Sequence, residues 1–368
     1  MGAQRLNAVD LANLAQESLV CDVFNADGEL VFARGTHLPP LTELSALLTR
    51  GLFCSDAAQA RATPAADIYV LRCYNQASRQ LGDLLPQLSS CDNARHQLRT
   101  IAAQLQQALE SAPDLSLACI LLQQIGGVYS VRHCLESALL ALLLGQACGC
   151  DDPLEIACAA LTMNVGMLDM HDSLQNRRQQ LMHSEIQQIQ RHPEISRQIL
   201  RQAGIEDANW LSYVLLHHEN ADGSGYPAGC DLPQIPTGAR VLALADRYCA
   251  QVAARNYRRS LNPQQCFLNI CQEFSAPADS SLLAAFMREI GPCPPGARVM
   301  LDDGALAVVS RRRSGMPPLL HRLRSAQGEI LTPQEQDSRD NPIRDILGVE
   351  AADCRFSMKS VWGEAAAL

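Results

Sequence analysis

The sequence lacks an apolar run long enough to cross a membrane. The longest run, residues 138–144, is far shorter than the roughly 20 apolar residues that a membrane helix needs. The N-terminus also lacks a basic segment followed by an apolar one, so no signal peptide is predicted. These absences favour a soluble, cytoplasmic protein with no membrane partner.

The chain is equally poor in lysine, since Lys359 is the single lysine among 30 basic residues. With 39 acidic residues the net charge is −9. A nucleic-acid binder needs a basic face for phosphate contacts, so no nucleic-acid partner is predicted. Arginine forks suit smaller phosphate ligands, although a GC-rich genome explains the same bias.

The cysteines show no zinc-finger spacing, because the close pair Cys148 and Cys150 has no second pair to complete it. Most of the 15 cysteines lie in apparent helices as small hydrophobes, which favours a reducing compartment. The 368 residues, 47% of them hydrophobic, are enough for two or three globular domains.

Composition divides the chain into four predicted segments: 1–56, 57–112, 113–290 and 291–368. The first is a small mixed α/β module, with a hairpin around Asp27-Gly28 and a short helix over 41–50. The second is a linker with a helical hairpin, and the third is helical throughout. The fourth follows a Gly-Pro-rich breaker and is a small β-rich extension. The predicted fold class is mainly α.

Two adjacent histidines, His217 and His218, end an apolar helical stretch. Trp210 and Val214 lie on one face of that helix, and the histidines continue the same face one turn later. Both rings are therefore expected to point into the core. Histidine is a common metal ligand, although an isolated pair is more often hydrogen-bonded in the core than bound to metal.

A glycine-rich loop follows, and the string from His217 reads His-His-Glu-Asn-Ala-Asp-Gly-Ser-Gly-Tyr-Pro. It resembles the HD-GYP signature, His-His-Glu-x-x-Asp-Gly-x-Gly-Tyr-Pro, at every fixed position. That family comprises bacterial, all-helical, metal-dependent phosphodiesterases that act on cyclic di-GMP. The resemblance implies an HD-GYP helical bundle between the two smaller modules.

The resemblance also implies five metal ligands: His133, His192, His217, His218 and Asp246. His133 opens a helix that is apolar all round, which predicts an interior position. Pro193 suits the first turn of a helix, which predicts that His192 stands at a helix start. Asp246 ends an apolar run, where a carboxylate is costly unless a cation or donors satisfy it.

The family's His-Asp pair and nearby lysine fall here on Met163, Asn164 and Met167. In the family that aspartate bridges two metal ions, which clamp the attacking and leaving oxygens. A neutral amide is a poor bridge and a thioether is unsuited to hard ions. The catalytic residues are therefore unknown. The remaining three histidines predict a partial site for one divalent metal, with Zn, Ni, Mn or Fe as candidates.

A His-Asp dipeptide does occur eight residues later, at His171-Asp172. Moving it into the vacated place would slide a helix by more than two turns, and a packed core tolerates no such slide. We therefore do not expect it to replace the missing pair.

On the substrate side, Arg255 and Arg258 match family positions that hold the nucleotide's phosphates, and Gly225 and Tyr226 belong to the signature loop. A solvated helix face explains the arginines equally well.

The sequence as a whole predicts a catalytically impaired HD-GYP protein that binds cyclic di-GMP or docks on GGDEF-domain proteins. An active phosphodiesterase with a mononuclear three-histidine site is the alternative, and a scaffold for the terminal modules is a third. Whether the chain forms a homodimer stays open.

Overall fold

The computed structural model describes residues 69–175, 181–253, 261–313, 315–348 and 356–367. Of the first 68 residues it describes 3–6, 19, 23–25, 30–33, 36–37 and 52–55. The chain divides into two compact units, Met1–Asp67 and Ile68–Leu368.

The first unit contains a four-stranded antiparallel sheet. Its strands are β1 (Ala3–Leu6), β2 (Val23–Asn25), β3 (Leu30–Phe32) and β4 (Leu52–Ser55), in the order β1-β4-β2-β3. β2 pairs with β3 as the predicted hairpin requires, with Val23 opposite Phe32. The helix predicted over 41–50 lies outside the described residues.

The second unit is mainly helical, which confirms the predicted fold class. Its helices up to residue 175 are α1 (Val70–Leu84), α2 (Ala94–Ser111), α3 (Pro113–Leu121), α4 (Tyr129–Ala147), α5 (Pro153–Thr162) and α6 (Leu168–Gln175). Those that follow are α7 (His183–Gln202), α8 (Ala208–Leu216), α9 (Thr237–Val252), α10 (Pro263–Glu273) and α11 (Ser280–Glu289). Within the described part of the chain, no helix is both long enough and apolar enough to cross a bilayer.

Helix α4 lies at the centre of this unit and packs against α5 and α9. Apart from the Arg132–Glu136 ion pair it is largely apolar, and most of its leucines are buried, among them Leu135, Leu139 and Leu142. A helix that is apolar around most of its circumference is expected to lie in the interior. His133, one turn from its start, is therefore buried.

A five-stranded antiparallel sheet follows the helices. Its strands are β5 (Arg298–Leu301), β6 (Leu306–Arg313), β7 (Met316–Arg324), β8 (Glu335–Asp337) and β9 (Ile343–Ile346), in the order β8-β7-β6-β5-β9, and α12 (Met358–Trp362) comes last. β5 and β6 pair as an antiparallel hairpin within the extension that was predicted to be β-rich, with Val299 opposite Ala307. Ile330 forms an isolated bridge to Arg324.

The sheet shares a hydrophobic core with the helices. The backbone N–H of Arg312 donates to Asp114 at 3.2 Å. Gly296 lies so close to α3 that a Cβ there would approach the Cα of Ala118 to 2.8 Å. The four-segment division of the chain stays a prediction.

Candidate metal centre

Three of the expected ligands, His192, His217 and His218, come together between α7 and the end of α8. One ligand nitrogen from each ring lies within 4.8 Å of the other two. The Nε2 atoms of His192 and His217 are 3.3 Å apart. His192 and His217 are fully buried, whereas His218 is partly exposed and stacks on Tyr226.

The position of His192 corrects the sequence prediction. Pro193 lies inside α7, so His192 stands in the middle of a helix and does not start one. Proline has no N–H, which frees the carbonyl of Ile189 four residues earlier. The Nδ1 of His192 bonds that carbonyl at 2.6 Å. The proline therefore supplies the acceptor that orients the imidazole.

His217 uses the end of a helix in the same way. Helix α8 ends at Leu216, so its last carbonyls lack intrahelical partners. The Nδ1 of His217 bonds the carbonyl of Val214 at 2.7 Å. A backbone carbonyl on Nδ1 is the usual outer partner of a metal-ligating histidine.

These two contacts settle the tautomers of His192 and His217. A carbonyl only accepts, so each Nδ1 carries the proton and each Nε2 presents a lone pair. Two buried lone pairs 3.3 Å apart repel unless a cation lies between them. With His218 beside them, the donor set fits one borderline ion such as Zn²⁺, with open positions left for other ligands.

Burial keeps this set neutral. It lowers the pKa of His192 to about 3, and the neighbouring His217 adds to the effect. Burial also lowers the pKa of His217, and that of His218 well below its ordinary value. All three rings are therefore uncharged at pH 7, the form that binds a metal.

These shifts predict how the stability of the metal-free protein depends on pH. A folded-state pKa below the unfolded value of 6.5 means that the unfolded chain binds more protons between pH 6.5 and about pH 3. The free energy of unfolding should therefore fall as the pH drops through that window. Urea titrations at stepped pH measure the slope, which His192→Gln should make shallower; an unchanged slope would contradict the assignment.

The signature loop returns to the histidines after His218. Gly225 is required because a Cβ there would lie 2.4 Å from the Cα of Glu219. Tyr226 donates its N–H to the carbonyl of His218, and the two rings stack with centroids 4.7 Å apart. The loop therefore packs Tyr226 directly on a candidate ligand.

Glu219 anchors the far end of this loop. Its buried carboxylate accepts the N–H groups of Ala228, Gly229 and Cys230, at 2.7, 3.1 and 2.9 Å. Sequence analysis assigned no role to Glu219, although it is one of the fixed positions of the HD-GYP signature. One acidic side chain thus fixes the backbone just beyond Tyr226.

Replacing Glu219 with Gln should loosen the loop. The Gln amide keeps one acceptor oxygen, but its NH₂ group would face backbone N–H groups, and two donors cannot bond each other. We therefore expect a loss of about 1.5–3 kcal/mol in the free energy of unfolding. Hydrogen exchange should rise in peptides that cover 226–230. Glu206→Gln, a surface change, serves as the matched control. Equal exchange in the two variants would show that the anchor is unimportant.

His133 and Asp246 are the two expected ligands that remain at the family's first metal position. His133 and Asp246, both buried, form a hydrogen bond of 2.7 Å between Nε2 and Oδ1. Burial alone would raise the pKa of Asp246, but the bond to His133 and the charge of that ring hold it below its ordinary value. The bond pairs Asp246 with the Nε2 of His133, whereas the buried Nδ1 of His133 has no hydrogen-bond partner among the described residues.

Met163 and Asn164 lie at the end of α5, where the family's His-Asp pair is expected. Ser196 of α7 accepts the N–H of Gly166 and donates to the carbonyl of Met163, so the turn is fixed to the helix that carries His192. Met163 is fully buried, and the Oδ1 of Asn164 has no hydrogen-bond partner among the described residues. A thioether, an amide and a closed His-Asp pair do not fit a second hard cation.

His171 lies close to His133, although the sequence analysis did not expect it to replace the missing His-Asp pair. α5 has not slid; His171 comes instead from α6, with its ring centroid 5.4 Å from that of His133. Tyr129 contacts both rings. Arg255 and Arg258, predicted to bind phosphate, lie outside the described residues, and that prediction stays untested.

The fold and the site thus define a mainly helical protein with a buried histidine cluster at the junction of its central helices. The HD domain family model matches residues 98–281, half of the chain. The chain therefore belongs to the HD domain family, as a protein of the HD-GYP type.

Curated relatives include the cyclic di-GMP phosphodiesterase PA4108 of Pseudomonas aeruginosa, 29% identical over 61% of this chain and 56% of its own length. Another is the cyclic di-GMP phosphodiesterase PdeB of Borreliella burgdorferi, 24% identical over 57% of this chain and 56% of its own. The chain thus spans little more than half the length of either. Among solved structures, Bd1817, a HDG"Y"P protein from Bdellovibrio bacteriovorus, aligns over 77% of this chain and 99% of its own, at 12% identity and a TM-score of 0.48.

Proposed function

We propose that the chain is a cyclic di-GMP signalling protein that is impaired in hydrolysis and acts by binding the nucleotide or by docking on a partner. The choice of cyclic di-GMP as the nucleotide is supported by two relatives that are cyclic di-GMP phosphodiesterases. The impairment rests on one observation: Met163 and Asn164 occupy the positions of the family's His-Asp pair, so His133 and Asp246 are the only expected ligands left at the first metal position.

That observation bears directly on the chemistry. Two ions together activate the attacking oxygen and stabilise the leaving oxygen, whereas one ion supplies only part of this effect. The chain offers a complete donor set for one ion, at His192, His217 and His218. Zn, Ni, Mn and Fe are the candidate metals. GGDEF-domain partners and a homodimer remain predictions from the resemblance.

An active phosphodiesterase is the second candidate, and the facing Nε2 atoms of His192 and His217 favour it. They suit a single ion with open positions, which is how catalytic zinc sites differ from structural ones. In that case the chain's own residues would hold the ion in the open three-histidine site, and Tyr226 would pack the loop beside it.

One experiment separates the two. The purified protein is incubated with cyclic di-GMP and Mn, Fe, Ni or Zn, and the nucleotides are resolved by chromatography. Intact cyclic di-GMP, together with measurable binding in equilibrium dialysis, is the result that we expect. Linear pGpG or GMP would make the protein an enzyme, provided that His217→Ala abolishes the product. If the protein neither binds nor hydrolyses cyclic di-GMP, the nucleotide-binding form of the proposal is wrong and only docking on a partner is left.

A further inference from the structure

Two of the three candidate ligands are oriented by the backbone, and the third is not. The Nδ1 atoms of His192 and His217 bond carbonyls at 2.6 and 2.7 Å, so both rings have a fixed direction. The ring of His218 makes no hydrogen bond within the described part of the chain. Apart from the other two histidines, its aromatic contact is Tyr226, 4.7 Å away at an angle of 27°. The direction of His218 therefore depends on the loop that carries Tyr226.

Arg247 holds the first half of this loop from helix α9. Its Nη2 donates to the Oδ1 of Asn220 at 2.5 Å. The guanidinium carbon lies 5.2 Å from the centre of the Phe274 ring, and Nη1 lies 3.7 Å from the carboxylate of Glu273. A hydrogen bond from a charged donor is about twice as strong as one between neutral groups. Arg247 is thus a firm attachment point for the loop.

The contact continues along the loop towards Tyr226. Arginine only donates, so the amide oxygen of Asn220 faces Arg247 and its NH₂ group faces the other way. That Nδ2 donates to the Oγ of Ser224 at 3.0 Å, and the Ser224 hydroxyl donates to Asp222 at 2.6 Å. A directed chain of three hydrogen bonds therefore runs from α9 into the loop.

Asn220 and Ser224 stand at positions that the HD-GYP signature leaves open. Glu219, a fixed position, anchors the backbone just beyond Tyr226. Arg247 acts on the other side, before Tyr226, because it bonds Asn220. The loop is thus attached on both sides of the tyrosine, once by a fixed signature residue and once through residues that the signature does not specify.

We propose that Arg247 is a positioning residue for the metal centre. By holding Asn220 it keeps Tyr226 stacked on His218, and the ring of the third ligand is thereby directed at the ion. The inference rests on the three-histidine metal centre of the proposed function and does not depend on the nucleotide.

The sign of the effect separates positioning from simple electrostatics. A guanidinium charge near a cation site repels the cation, so its removal should by itself tighten metal binding. Loss of the contact to Asn220 acts in the opposite direction, because His218 is then free to turn away. A fall in metal affinity on removal of the charge therefore indicates positioning.

The test measures binding of Co²⁺ to the full-length chain by visible absorption, which reports both the affinity and the ligands of the ion. Arg247→Met keeps the packing on Phe274 and removes the donors. It should weaken binding about 10-fold, as expected for loss of an outer contact of a metal site, and change the absorption band. Arg247→Lys keeps one donor for Asn220 and should restore most of the affinity.

Arg240→Met is the matched control, because Arg240 lies on the same helix and lines the same cavity of about 480 Å³ but pairs with Asp279. It should leave the affinity and the absorption band unchanged. Asn220→Ala should weaken binding as much as Arg247→Met, and both changes together no more than either alone. If Arg247→Met fails to fold, Asn220→Ala is compared with Asn220→Asp, which keeps the acceptor and should keep the affinity.

Three results would overturn the role of Arg247 and leave the metal centre standing. They are an unchanged affinity in Arg247→Met, equal losses in Arg247→Met and Arg240→Met, and additive losses in the double variant with Asn220→Ala. If the unmodified chain binds no Co²⁺, the metal centre and the role of Arg247 are both wrong.

Nuclear magnetic resonance of the metal-free protein, with ¹³C-labelled histidine, gives a second readout. The Tyr226 ring shifts the resonances of the His218 ring that it stacks on, and Tyr226→Leu identifies this shift by removing it. Arg247→Met should move the same resonances towards their positions in Tyr226→Leu, whereas Arg240→Met should not. Unchanged His218 resonances in Arg247→Met would show that Arg247 does not position this ligand.

Discussion

The double change Met163→His with Asn164→Asp should raise cyclic di-GMP turnover by about 100-fold or more. The turn that carries both residues is fixed to α7 through Ser196, so the new side chains start from a backbone that already has the required position. A second ion stabilises several kcal/mol of transition-state charge, and about 2.7 kcal/mol corresponds to 100-fold in rate. Formation of pGpG or GMP measures the gain.

The control for this prediction is Met163→Leu with Asn164→Ala, which keeps an apolar volume but supplies no ligands. It should leave turnover at the unmodified level. Metal analysis should show about one ion per chain in the control and two in the double variant. A well-folded double variant that holds two ions and yet shows no gain in turnover is the opposing result. That result would mean that the substrate side of the site, and not the metal position, limits turnover.

The candidate ligands were assigned through the resemblance to the HD-GYP family, and the motif that carries this resemblance is local. The string from His217 carries its own spacing, and the apolar surroundings of His133 and Asp246 predict that both are buried, as they are. Helical periodicity predicts the helices, and the resemblance implies their arrangement as a bundle. These features depend on near neighbours in the chain, which is what a single sequence records.

The features that the sequence analysis did not predict depend on tertiary contacts. Pro193 is typical of a helix start, yet α7 runs through it because His192 uses the carbonyl that the proline frees. The sequence analysis did not expect His171 to replace the missing pair, and the approach of His171 to His133 from α6 depends on a contact between residues 42 positions apart. No local pattern encodes either arrangement.

Replacing His217 with Ala should abolish the thermal stabilisation that Zn²⁺ gives the protein. A ligand that binds only the folded state stabilises it by RT ln(1 + [L]/Kd), about 2.7 kcal/mol at 100 times Kd. Losing an outer partner of a metal site costs about 10–100-fold in affinity, so losing one of three direct ligands should cost more.

The matched control for this change is His183→Ala, at the exposed start of α7. Its zinc-dependent shift in melting temperature should equal that of the unmodified protein, because His183 stands more than two turns before His192. The shift should also vanish in His192→Ala, since the two facing Nε2 atoms act together. If the unmodified protein gains no stability from Zn, Ni, Mn or Fe, the three histidines do not bind these ions. The signalling role would then rest on the loop alone.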